Sequence, residues 1–186
     1  MKFSNKSIFL ITGKPGIGKT SLIKKLALSF NLKDICGFYT EEIREKNKRV
    51  GFKIITFHKG EGILAHINLL SQYKVSKYYV DIQNFEKLII PELNLVNKKK
   101  IILIDEIGKM ELFSKNFREK VIEIFKLDKI IIATIPISKI KFIENLKSLP
   151  KVKIYEITLE NRNQLLKILK EETTNLLTNS NYSCRS

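Results

Sequence analysis

The chain has 186 residues, 44% hydrophobic and 28% charged, which suits one domain with its own core and excludes disordered, collagenous and coiled-coil classes. Its longest apolar run, residues 130–137, contains Pro136 and falls well short of the about 20 residues a membrane-spanning helix needs. The run Ile8–Ile11 behind Lys2 and Lys6 is too short for a signal peptide, and two cysteines (Cys36 and Cys184) make no disulfide framework, so a cytoplasmic protein is expected. Net charge is +15, yet arginine stands only at 44, 49, 118, 162 and 185. Phosphate-reading surfaces favour arginine for its bidentate fork. A lysine surplus beside abundant Ile and Asn, all with A/T-rich codons, reads as genome composition before it reads as a nucleic-acid surface. The charge still favours polyanionic small ligands over cationic ones.

In chain order, residues 7–12 form a continuous apolar run ending in a glycine-rich turn, the pattern of a strand buried on both faces of a parallel sheet. Residues 20–30 follow with helical spacing, Leu22, Ile23, Leu26 and Phe30 inward and Lys24 and Lys25 outward. Segments 37–44 and 49–57 are aromatic and β-branched around Glu45-Lys-Asn-Lys48, which predicts an antiparallel hairpin, with a short strand near 63–67. Residues 68–76 read as loop, 78–80 as a strand, and 84–95 as a helix bent or broken near Pro91. Buried strands are predicted at 101–104 and 130–134, with helices around Phe117–Phe125 (capped near Ser114) and Ile140–Leu146. Residues 152–157 alternate in polarity and suit an edge strand; an amphipathic helix runs from 160 to 177, and 179–186 read as a loose polar tail. The sum is one α/β domain over residues 1–178, a mainly parallel sheet flanked by helices with a hairpin insertion.

Gly13-Lys14-Pro15-Gly16-Ile17-Gly18-Lys19-Thr20 fits G-x-x-x-x-G-K-[ST] between a buried strand and a helix. Glycines let backbone N–H groups turn inward around phosphate oxygens, and the helix points its positive end at the same anion. In that arrangement Lys19 reaches the β- and γ-phosphates and Thr20 places a hydroxyl on Mg²⁺. The strand 101–104 ends in Asp105-Glu106, at the sheet edge where α/β proteins bind ligands. Asp105 is the candidate to hold Mg²⁺ through water, and Glu106 the candidate to orient and deprotonate the attacking water.

Asp105-Glu106-Ile107-Gly108 also fits the D-x-x-G of signalling GTPases, but no [NT]-K-x-D follows strand 130–134 to read guanine. A nucleoside or nucleotide kinase would need an arginine-rich lid, and the second half offers only Arg118 and Arg162 before the tail. A nucleic-acid-linked nucleotide switch stands as an alternative, without any RNP, KH or helix-turn-helix signal.

Gly13–Thr20, then Gly37-Phe-Tyr-Thr-Glu-Glu-Ile-Arg44, Arg49-Val-Gly-Phe52, Asp105-Glu-Ile-Gly-Lys-Met-Glu-Leu112 and Asn161-Arg162 together resemble the thermophile (THEP) type nucleoside-triphosphatase family, which includes the cancer-related nucleoside triphosphatase. The likeness spans roughly residues 8–170. It implies a RecA-like P-loop fold, a monomer, and Mg²⁺-dependent hydrolysis of several nucleoside triphosphates (ATP, GTP, CTP, UTP) to diphosphates. Its phosphate-loop positions carry to Gly13–Thr20 and its acidic motif to Asp105 and Glu106; Gly108 is a further nucleotide-binding candidate.

Glu42 and Arg44 share a strand face, which offers Arg44, or Lys109, as a charge stabiliser; the alternative is an ion-paired hairpin face. Arg162 is a candidate to stack on the base; the alternative is a solvated arginine at a helix N-terminus. Glu111 is either a second acid near the water or a loop contact, the latter preferred. His58 and His66 lack ligand partners, and Tyr73, Tyr78 and Tyr79 fit strand packing as well as base stacking.

Overall fold

The computed structural model describes residues 7–182, so Lys2, Lys6 and Cys184 lie outside the described residues. The nine strands are β1 (Ser7–Thr12), β2 (Ile35–Glu45), β3 (Lys48–Thr56), β4 (Glu61–His66), β5 (Lys74–Val75), β6 (Tyr78–Val80), β7 (Ile101–Ile104), β8 (Ile130–Thr134) and β9 (Val152–Glu156). They make one sheet in the order β5-β6-β4-β3-β2-β7-β8-β1-β9. Strands β2, β7, β8, β1 and β9 run parallel; β3, β4, β6 and β5 extend the sheet antiparallel.

The central strands are apolar throughout because each feeds two cores. Ile8, Leu10, Ile102, Ile104, Ile131 and Ala133 face helices α2 (Ile82–Leu93) and α3 (Lys115–Ile124). Phe9, Ile11, Ile101, Leu103, Ile130 and Ile132 face α1 (Lys19–Ala27) and α5 (Arg162–Tyr182). Period-two alternation sends successive residues to opposite faces, so both layers need apolar side chains. Helix α4 (Lys141–Lys147) adds Ile143 and Leu146 to the first layer.

Three expectations change and one gains detail. The expected hairpin is continuous with the parallel sheet: β2 pairs in parallel with β7 through residues 35–38 and then antiparallel with β3. Lys46 and Asn47, at the tip, both have positive φ (45° and 63°), the geometry of a tight two-residue turn between twisted strands. Pro91 does not break its helix, because Phe85, Ile89 and Leu93, all fully buried, hold that helix on the sheet across the lost hydrogen bond. Lys74–Val75 forms an edge strand inside the expected loop, paired with Tyr79 and Tyr78. The last helix continues to Tyr182, four residues into the expected tail, and 183–186 lie outside the described residues. Strand β9 does lie at the sheet edge.

Candidate active site

The loop between β1 and α1 is shaped by glycine. Gly16 and Gly18 sit at φ 75° and 108°, a region that disfavours side chains, and a Cβ on Gly13 would lie 2.7 Å from the Ile157 side chain. Gly18 caps α1 with no side-chain hydrogen bond, and the first helical bond runs from Leu22 N–H to Gly18 C=O. Ile17 N–H turns back to the Lys14 carbonyl at 3.2 Å, and the first amides of the helix itself are left for a ligand, at its positive end. Lys14, Pro15 and Gly16 are exposed, Ile17, Gly18 and Thr20 half-buried, and Lys19 buried. Lys19 folds back, its Nζ donating to the Gly13 carbonyl at 3.0 Å and lying 3.8 Å from Glu106 Oε2.

Parallel pairing with β8 and β2 puts the end of β7 beside this loop, and Asp105 and Glu106 stand there. Asp105 is 1% exposed. Among the described residues no cation pairs with it. Instead its Oδ1 accepts from Thr134 Oγ1 at 3.0 Å, its Oδ2 accepts from Thr40 Oγ1 and N–H at 3.2 and 3.3 Å, and the Thr20 hydroxyl also hydrogen-bonds it. Burial raises its pKa, and the bonds from Thr20, Thr40 and Thr134 hold it back. Burial likewise raises Glu106, opposed by Lys19 and reinforced by Asp105. Thr20 and Asp105 bring hard oxygen donors together, the set Mg²⁺ takes. Among the described residues no three His, Cys, Asp or Glu converge as a metal cage, so most ligand oxygens would come from phosphates and water.

Glu111 makes the loop contact expected of it, and does so buried. It opens a 3₁₀ turn (Glu111–Phe113), is 5% exposed, and accepts the Gly108 N–H at 3.1 Å. A Cβ on Gly108 would lie 2.9 Å from Glu106 Oε1 and 3.0 Å from Glu111 Oε2, so the two acids flank that glycine. Burial, then the Glu106 charge, pushes the Glu111 carboxyl up to about 8. Gly108 thus gives its amide to Glu111.

The remaining candidates separate. Arg44 binds Glu42 at 2.5 Å and the Asn47 carbonyl at 3.0 Å, while Arg49 takes the other Glu42 oxygen and the Tyr78 hydroxyl. Arg44 lies four residues beyond Thr40, roughly 13 Å along the strand from the Asp105 contact. It belongs to the ion-paired hairpin face. Glu41 instead joins Lys24 of α1 (2.6 Å) and Lys53 of β3 (3.3 Å), tying the phosphate-loop helix to the hairpin. Lys109 is exposed and lines a separate cavity. Arg162 borders a cleft of about 240 Å³ with Gly18, Ser21, Ile157 and Leu166, next to the phosphate loop. His58 donates its N–H to Glu92, its ring meets the Ile35 carbonyl, and Tyr78 packs on Phe52. Thr40 and Thr134 were not singled out from sequence. The signal available was a threonine closing the buried run 130–134, and one inside the Gly37–Arg44 string.

A glycine-rich loop after β1, a lysine and threonine opening α1, and paired acids at the end of the neighbouring-but-one strand define a P-loop nucleoside-triphosphatase fold. A family model described as NTPase matches residues 8–170. The chain is 51% identical over 158 residues to nucleoside-triphosphatase THEP1 of Thermotoga sp. strain RQ2, covering 84% of this chain and 90% of that protein. The crystal structure of THEP1 from Aquifex aeolicus superposes with a TM-score of 0.79 at 40% identity, over 87% of this chain and 96% of the other. The solution structure of a human cancer-related nucleoside triphosphatase gives 0.72 at 36%, over 88% and 95%. The chain belongs to this NTPase family and is a hydrolase of nucleoside triphosphates. Among the described residues no helix is long and apolar enough to cross a membrane.

Proposed function

We propose that the enzyme cleaves the terminal phosphate of nucleoside triphosphates with Mg²⁺, with little discrimination among bases, and that Glu106 activates the water. The observation that carries this reading is the position of Lys19, whose ammonium lies between the phosphate loop and the Glu106 carboxylate. Lys19 and the loop amides would neutralise charge on the transferred phosphoryl group. Glu106, with its pKa raised by burial, accepts the proton of the attacking water. Thr20 and, through water, Asp105 would hold Mg²⁺, whose charge when bound offsets that of the β- and γ-phosphates. Base tolerance fits the cleft beside Gly18: Arg162 offers a flat cation, and Ile157 and Leu166 an apolar wall, to any base.

The test is nucleotide affinity and single-turnover hydrolysis for Glu106→Gln and Asp105→Asn side by side. Glu106→Gln should lose about 10²–10⁴ in rate with affinity within a few-fold, the usual weight of a general base. Asp105→Asn should lose affinity and rate together, with partial rescue by excess Mg²⁺. Near wild-type hydrolysis by Glu106→Gln would remove Glu106 from the reaction.

A further inference from the structure

A second cavity, of about 530 Å³, opens on the far side of the Gly108–Phe113 turn. Three separate segments build it. The β5 edge contributes Lys74, the turn contributes Lys109, Leu112 and Phe113, and the segment after β8 contributes Lys139 and Ile140. All three lysines are exposed, and among the described residues none has a carboxylate within ion-pair distance. That contrasts with Lys24 and Lys53, which are paired on Glu41 across the hairpin. Lys74 donates to the Tyr79 hydroxyl at 3.2 Å and lies 4.6 Å from that ring's centroid, neutral contacts that leave its charge uncancelled, so three like charges line one concavity without an acid to offset them. The floor is apolar and firmly supported: Phe113 packs on Tyr73 with ring centroids 5.2 Å apart, and Arg118 binds the Leu112 and Phe113 carbonyls.

We propose that this cavity is a second nucleotide site, taking a free nucleoside monophosphate with its phosphate among Lys74, Lys109 and Lys139 and its base over Leu112, Phe113 and Ile140. Charge complementarity selects an anion. The apolar floor selects one that carries a flat or apolar body, and the volume is that of a small-molecule site. The lysines come from three segments to line one cavity of small-molecule size, which favours a single nucleotide over a strand of nucleic acid. The wall of the cavity is also the turn that holds Glu111 against Gly108, so an occupant bears on the segment beside Glu106.

The proposal is independent of how hydrolysis proceeds, and binding tests it. AMP is titrated calorimetrically into the protein saturated with Mg²⁺ and a non-hydrolysable ATP analogue, so that the phosphate loop is filled. One AMP per chain should bind, and Lys74→Ala with Lys139→Ala should weaken it at least about tenfold. The double variant should keep wild-type affinity for the ATP analogue and wild-type basal hydrolysis. Absence of AMP binding to the saturated protein overturns the proposal, as does equal binding by the double variant. If a 15-nucleotide single-stranded DNA binds in a Lys74- and Lys139-dependent way while AMP does not, the face is a nucleic-acid surface and the nucleotide site is wrong.

Discussion

Glu111→Gln separates the energetic cost of the site from its chemistry. Glu111 is 5% exposed, accepts from the backbone N–H groups of Gly108 and of Glu111 itself, and meets no cationic side chain in ion-pair distance among the described residues. Its carboxyl moves from an ordinary 4.5 up to about 8. An acid with a raised folded pKa binds more protons folded than unfolded. Its stabilising contribution is complete below about 4.5 and is lost as pH rises through about 8. Integrated between about pH 5.5 and about pH 7.5, the loss is about 2.5 kcal/mol. Glutamine keeps the shape and an acceptor for the Gly108 amide and does not titrate. Urea unfolding of both proteins, without nucleotide, should show the variant gaining about 2.5 kcal/mol on wild type between those two pH values. Comparing the difference between the proteins cancels titration of shared groups that do not interact with residue 111 and leaves that of Glu111 together with its coupling to Glu106. Unfolding midpoints that move in parallel, with a gap constant to about 0.5 kcal/mol, would refute the buried, unpaired state assigned to Glu111.

Gly37→Ala should cost more than about 4 kcal/mol or prevent folding, because φ is +125° and a Cβ would lie 1.8 Å from the Leu103 carbonyl oxygen; thermal melting and soluble yield check it. In a phosphate-release panel, kcat/KM for ATP, GTP, CTP and UTP should agree within roughly tenfold, about 1.4 kcal/mol. A thousandfold preference for one base would reveal a reading element outside the cleft beside Gly18.

The phosphate loop and the acidic strand end were legible because each is local. Residues 7–20 carry strand, turn and helix start in one stretch, and residues 101–106 carry an apolar run with its terminal acids. The contacts that complete the site were not legible, because they join residues far apart in sequence: Thr40 lies 65 residues and Thr134 29 residues from Asp105. Burial misled differently at Glu111. A glutamate in a polar-looking loop string gives no sign that the following Leu112 and Phe113 anchor the turn and draw the acid inside. The hairpin was read correctly as local pairing, while its fusion to the parallel sheet depends on Ile35–Phe38 meeting Ile101–Ile104, a partnership no local pattern encodes. Pro91 shows the converse, a local breaker overruled by three fully buried side chains of its helix.

Three carboxyls, Asp105, Glu106 and Glu111, stand close enough to raise one another's pKa, only Glu106 of them within reach of Lys19, and the way Asp105 is held explains why this is workable. An arginine or lysine in place of the threonines would hold Asp105 in a permanent ion pair and occupy the oxygens a hydrated cation needs. Hydroxyls orient the carboxylate without cancelling its charge, each neutral hydrogen bond contributing only about 1 kcal/mol. The consequence is a buried acid whose pKa rises, so the folded apoprotein is electrostatically unfavourable at this point. That cost is carried by the two apolar layers behind β7 and β8, where Ile102, Leu103, Ile131 and Ile132 are fully buried. Thr40 adds a mechanical link, since it belongs to the strand that begins in the parallel core and ends in the hairpin. Displacement of the hairpin therefore moves a ligand of the Asp105 carboxylate, and Glu41 couples the same strand to the helix carrying Lys19 and Thr20.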